Sequence, residues 1–126
     1  MSIKVLMADD SHAMRSVIRR TLEEESQIEI VAEASSFAET IQKIADFKPS
    51  VLLLDLHLPD ERNITPALVK AQLRSVCTLA ICLSNDDGAK ALAESYGAVS
   101  LLDKMNLYSE MIPAIMHCSH NHHSTA

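Results

Sequence analysis

The sequence predicts an α/β fold in which five parallel strands alternate with five helices, and three observations carry that expectation. Short continuous apolar runs, among them VLMA, VLLL and TLAICL, alternate with longer segments of helical periodicity. The VLLL run is apolar at every position, as a central strand covered by helices on both faces should be. The runs also end at or just before polar residues, so Asp9, Asp10, Asp55, Ser84 and Lys104 would collect at one edge of one sheet. Open parallel sheets bind their ligands there, at the carboxyl ends of the strands.

Taken in order, strand one is expected at 3–8. Helix one follows, with Asp10 or Ser11 as its N-cap and Met14, Val17, Ile18 and Leu22 as its buried stripe. Strand two covers 29–34. Ser36-Phe37-Ala38-Glu39 reads as a capping box for helix two, whose inward face carries Ile41, Ile44 and Ala45 before Pro49 bars continuation. Strand three covers 51–54, and a charged loop with Pro59 leads to Thr65-Pro66, an N-cap followed by Pro at N1, which starts helix three through Arg74. Strand four covers 78–83, and helix four runs over 86–96 and stops at Gly97. Strand five covers 99–102 and helix five 107–117, with Pro113 expected to kink it or confine its regular hydrogen bonding. Right-handed crossovers restrict the topology, and a doubly wound, flavodoxin-like (βα)5 order of 2-1-3-4-5 follows, with helices on both faces. Strands one and three then adjoin at the switch point, and Asp9, Asp10 and Asp55 face one crevice.

The bulk properties agree with a single domain. The chain has 126 residues and 48% apolar content, enough for one core. Trp is absent and aromatics are scarce, so Leu, Ile, Val, Ala and Met must fill the interior. A net charge of −6 argues against a nucleic-acid surface, which needs clustered Lys and Arg. Arg15, Arg19 and Arg20 are balanced by Glu23, Glu24 and Glu25 and read as one solvated helix face. The three cysteines, Cys77, Cys82 and Cys118, have no framework spacing, so buried thiols in a reducing cytosol are expected. No basic-then-apolar leader opens the chain, and no apolar run approaches the ~20 residues of a membrane helix. The expectation is a cytoplasmic protein that does not enter a membrane. The stretch His117-Cys118-Ser119-His120-Asn121-His122-His123 fits no closed metal site and reads as a polar terminus.

Three carboxylates in one crevice repel one another. At ~4 Å and an effective dielectric near 20, each pair costs about 4 kcal/mol. Lys104 offsets one charge and a divalent cation would offset two more. Mg2+ (or Mn2+) suits such a site, because Mg2+ takes one or two carboxylates, keeps waters and borrows phosphate oxygens. A phosphoryl group on Asp55 would give the ion, Lys104 and Ser84 an oxygen partner each. Singly, Asp9-Asp10 is a helix cap, Asp55 and Ser84 are loop residues and Lys104 is a solvated charge. Their joint placement is what points to phosphoryl transfer.

The pattern resembles the receiver domain of two-component response regulators over about residues 3–117. The matching pieces are Asp9-Asp10, the motif Asp55-Leu56-His57-Leu58-Pro59, Ser84 after strand four, and Gly97-Ala98 leading to Lys104. The resemblance implies a receiver over residues 1–118 with 119–126 a flexible polar tail. It implies that Asp55 accepts a phosphoryl group from the phosphohistidine of a sensor histidine kinase or histidine phosphotransfer protein. Asp10, Asp55 and the backbone carbonyl of His57 would ligate Mg2+, with Asp9 helping directly or through water. Ser84 would hydrogen-bond one phosphoryl oxygen and Lys104 would pair with another. The chain would modify and demodify itself without being a turnover enzyme. Partner binding, or dimerisation on phosphorylation, would use helix four, strand five and helix five. The region around helices one and two is similar to receivers that precede LuxR-type DNA-binding domains, so the output would be a fused domain or a separate downstream protein.

Four residues depart from the family pattern. Met105 follows Lys104 where Pro is usual, and Leu101 holds the switch position often taken by Tyr or Phe. Asn85 follows Ser84 where a small residue is usual, and Asn63 replaces a loop Gly, a role Asn fills by tolerating a left-handed backbone. These departures keep a second reading open, a pseudo-receiver serving as a phosphorylation-independent interaction module. Enzyme readings on the same fold are weaker. With only Gly88 and Gly97, no phosphate-binding glycine loop or dinucleotide fingerprint is available. Asp60 breaks a cobalamin-type pattern after His57, and His57 stands where a haloacid-dehalogenase-type hydrolase needs a second Asp.

Overall fold

A computed structural model describes the backbone of residues 2–124 and the side chains of residues 2–120. Its five strands are β1 (Ile3–Ala8), β2 (Ile28–Ala34), β3 (Val51–Asp55), β4 (Cys77–Cys82) and β5 (Ser100–Asp103). They form one sheet in the order β2-β1-β3-β4-β5, with every pairing parallel. The expected topology is present, and the strand ends differ from the sequence expectation by about one residue. The helices are α1 (His12–Glu23), α2 (Phe37–Phe47), α3 (Pro66–Gln72), α4 (Asp87–Ser95) and α5 (Leu107–Ser124).

Side-chain alternation along the central strands divides the core in two. Leu6, Ala8, Leu52, Leu54, Ala80 and Cys82 point to one face, where Phe37 and Ile44 of α2, Val69 of α3 and Ala93 of α4 cover them. Val5, Met7, Val51, Leu53, Leu79 and Ile81 point to the other, against Ile18 and Leu22 of α1 and Met111 and Ile115 of α5. Because both faces are buried, β3 is apolar throughout until Asp55, and β1 is apolar and buried from Val5 to Ala8, just before Asp9. The first polar residues after these runs emerge together at one end of the sheet.

Local chemistry sets the helix starts. Ser11 caps α1 by accepting from the Met14 N–H, and Ser36 caps α2 by accepting from the Glu39 N–H. The expected capping box at Ser36 is only half formed, because Glu39 reaches back to the N–H and hydroxyl of Ser35. Asp60 supplies what is missing: its two carboxylate oxygens accept from the N–H groups of Phe37 and Ala38, at 2.8 and 3.1 Å. The expected stripes also shift. Val17 is 55% exposed while Thr21 is buried, and in α2 Phe37, Thr40 and Ile44 are the buried residues while Ala45 is exposed.

Three further expectations are corrected. Cys77 and Cys118 are not separate thiols: they form a disulfide between β4 and α5, with Cα atoms 6.0 Å apart, and only Cys82 is a free buried thiol. Asn63 ends a short 3-10 turn, Glu61–Asn63, without positive φ. The left-handed non-glycine residue among those described is Lys48 (φ 48°), which ends α2 just before Pro49. Finally, α5 continues through Pro113 to Ser124, past the end expected for it at 117. The side chains of the terminal histidine cluster beyond His120 lie outside the described residues.

Candidate functional site

The switch point between β1 and β3 brings Asp9 and Asp55 side by side, because Ala8 pairs with Leu54 and each carboxylate follows one register position later. Asp9 is fully buried, Asp55 is 6% exposed and Asp10 faces solvent. Carboxylate oxygens of all three lie within 4.8 Å of one another. From the end of β5, the Lys104 ammonium enters the same space, 3.3 Å from Asp9 Oδ2 and 3.4 Å from Asp55 Oδ2. Four of the expected site residues are therefore brought together.

The Oδ1 atoms of Asp9 and Asp55 are held by main chain. The Ser11 N–H donates to Asp9 Oδ1 at 2.8 Å, and the His57 N–H donates to Asp55 Oδ1 at 3.0 Å. Both are two-residue side-chain turns, in which each aspartate fixes the loop that leaves its own strand. Asp9 Oδ2 is buried without a hydrogen bond of good geometry, its ion pair with Lys104 aside. A buried carboxylate oxygen in this state is costly unless a cation attends it.

Electrostatics agree with that picture. Burial, and then the neighbouring Asp55 charge, push the Asp9 carboxyl above the ordinary carboxylate range, against the opposing pull of the Ser11 N–H and Lys104. For Lys104, burial works against the charged form, but Asp55 and Asp9 outweigh it and raise the ammonium above the ordinary lysine value. One ammonium thus faces two buried carboxylates and a third at the rim. The net deficit of positive charge and the oxygen-only donor set suit a hard divalent cation.

Ser84 and His57 sit at the rim. The Ser84 hydroxyl donates to Asp86 Oδ2 at 3.3 Å, so its side chain is engaged with the N-cap of α4 rather than with Lys104 or Asp55. Both residues line a pocket of about 310 Å³ with Cys82, Asp86 and Leu92. The His57 imidazole faces outward, with Nδ1 3.2 Å from Glu61 Oε2. Leu101, at the expected switch position, is partly buried against the core cluster to which α4 contributes Ala93. Met105 is 80% exposed, and no cis peptide occurs among the described residues.

Two contributors were not visible in the sequence. Arg15 is not part of a solvated helix face: its guanidinium donates to the main-chain carbonyl of Asp9, and its Nε lies 3.1 Å from Glu33 Oε1 of β2. Arg19 pairs with the same glutamate. Asp60, which caps α2, anchors the loop that follows Asp55. Helical spacing places Arg15 next to Arg19 but carries no information about β2, so only the fold reveals the pairing.

Comparison with known proteins agrees with this geometry. The family model described as the response regulator receiver domain matches residues 5–116. The signal receiver domain of the response regulator NarL from Mycobacterium tuberculosis superimposes with a TM-score of 0.82 at 26% identity, covering 94% of this chain and 97% of that one. A LuxR-family two-component response regulator from Aurantimonas sp. SI85-9A1 gives a TM-score of 0.84 at 19% identity, over 96% of this chain and 87% of that one, which speaks to fold. In sequence, a protein-glutamate methylesterase/protein-glutamine glutaminase from Geobacillus kaustophilus is 30% identical over 94% of this chain. The chain spans 37% of that relative's length.

Proposed function

Since the chain belongs to the response regulator receiver domain family, we propose that it is a phosphoacceptor whose Asp55 takes a phosphoryl group from the phosphohistidine of a sensor histidine kinase or histidine phosphotransfer protein. The observation that carries this reading is the single pocket in which Asp9, Asp10 and Asp55 converge and Lys104 contacts two of them. Asp10 and Asp55, the main-chain carbonyl of His57 and, directly or through water, Asp9 are the residues that would hold Mg2+. When bound, the cation would neutralise negative charge on the carboxylates and on the incoming phosphoryl oxygens.

The chain's own residues supply positioning and charge. The His57 N–H orients the Asp55 carboxylate by fixing Oδ1. An Asp55 oxygen forms the new bond to phosphorus as the bond from phosphorus to the donor nitrogen breaks in line with it, and the donor imidazole takes up a proton on leaving. Lys104, already 3.4 Å from Asp55 Oδ2, pairs with a phosphoryl oxygen. Ser84 exchanges its bond to Asp86 for another phosphoryl oxygen, which would alter the start of α4 and, through Leu101, the surface formed by α4, β5 and α5.

The engagement of Ser84 with Asp86 and the presence of Leu101 favour one alternative, a phosphorylation-independent interaction module on the same fold. Acetyl phosphate separates the two. Intact-mass analysis of the chain incubated with acetyl phosphate and Mg2+ should show one added phosphoryl group, lost with chelator and lost in Asp55→Asn. A chain that remains unmodified under these conditions would support the interaction module.

A further inference from the structure

Arg15 of α1 contacts the main chain of one of the residues that form the acidic pocket. Its guanidinium donates through Nη1 to the main-chain carbonyl of Asp9, the residue that opens the Asp9-Asp10 turn. The same side chain is held from β2 by Glu33, with Nε 3.1 Å from Oε1, and is only 19% exposed. Glu33 is itself fixed: Arg19 pairs with its other oxygen, and the Lys43 ammonium donates to its main-chain carbonyl at 2.6 Å. A planar fork anchored on one arm leaves the other aimed at a fixed point, which a lysine could not do.

We propose that Arg15 is a positioning residue for cation binding, holding the Asp9 carbonyl so that the Asp9 and Asp10 carboxylates are presented in a fixed arrangement. The inference rests on the phosphoacceptor reading above. Two physical effects of the guanidinium oppose each other. As a positive charge near the pocket it repels a cation, so deleting it would tighten Mg2+ binding. As a clamp on the ligand-bearing turn it preorganises the site, and losing such an outer partner typically weakens metal affinity about 10- to 100-fold. The burial of Arg15, its tether to Glu33 and its contact with main chain favour the clamp.

The sign of the change therefore decides. Titration of the full chain with MgCl2 by calorimetry should show weaker binding in Arg15→Met, about tenfold or more, while thermal melting in chelator confirms that the variant is folded. Glu33→Gln should weaken binding less, and adding it to Arg15→Met should cause little further loss, because both act through one contact. Unchanged or tighter Mg2+ binding in a folded Arg15→Met would overturn the proposal while leaving the phosphoacceptor reading intact. A wild-type chain that neither binds Mg2+ nor takes a phosphoryl group from acetyl phosphate would overturn both.

Discussion

Asp9 shows how much chemistry one residue can hold in tension. It is fully buried, its carboxyl is raised by desolvation and by Asp55, and Lys104 offsets only part of the cost. A raised carboxyl contributes its full share of stability below the ordinary carboxylate range and loses it as pH climbs through the raised value. Metal-free protein should therefore melt at a lower temperature at neutral pH than this group would permit at mildly acidic pH. Asp9→Asn, which keeps an acceptor for the Ser11 N–H but removes the charge, should raise the metal-free melting temperature at neutral pH by a few degrees. It should also shrink the stabilisation that Mg2+ brings. Calorimetric melts with chelator and with Mg2+ check both, and a lower metal-free melting temperature would show the anion to be net stabilising. At this scale Asp9, Asp10, Asp55 and Lys104 were legible in the sequence, because each follows an apolar run. Arg15 and Asp60 were not, since their partners lie 18 and 23 residues away on other elements.

Strand β3 positions Asp55, the proposed phosphoacceptor, and its five residues are all buried. Leu53 has no exposed surface and packs toward α1 and α5. Leu53→Ala should cost about 2–5 kcal/mol through lost burial and the cavity left behind. By contrast, Leu68→Ala, on a side chain 64% exposed in α3, should stay within about 0.5 kcal/mol. Urea melts of the two variants make the comparison, and equal losses would contradict the packing. Strand identity was readable from β3 because a doubly covered strand has no polar face. The helix stripes were read less well. Val17 was expected inside and Thr21 was passed over, yet the Thr21 hydroxyl satisfies itself on the Val17 carbonyl at 2.9 Å and can be buried. Likewise Glu39 was expected to complete a box with Ser36, but Asp60 occupies the helix start from another loop. Periodicity finds which face turns inward; it does not find which polar residue has a local partner that lets it go there.

For the molecule as a whole, two layers of helices clamp a sheet whose carboxyl edge gathers the charge. The topology followed from strand count, apolar strands and crossover handedness, all of which the sequence carries. The link between Cys77 and Cys118 was not, because 41 residues separate them and no spacing rule joins the start of β4 to a position within α5. Closing a loop of that length removes about 4 kcal/mol of unfolded-chain entropy in the simplest treatment. Alkylation of the unfolded, unreduced chain should therefore mark Cys82 alone, and all three cysteines after reduction. Three marked cysteines before reduction would show the pair to be open. The sheet edge itself is tested by locating the modified side chain. Borohydride reduction of the chain treated with acetyl phosphate and Mg2+, followed by peptide mapping, should place the acyl phosphate on Asp55 and nowhere else. Modification of Asp9, Asp10 or His57 in its place would contradict the assignment of Asp55 as the nucleophile.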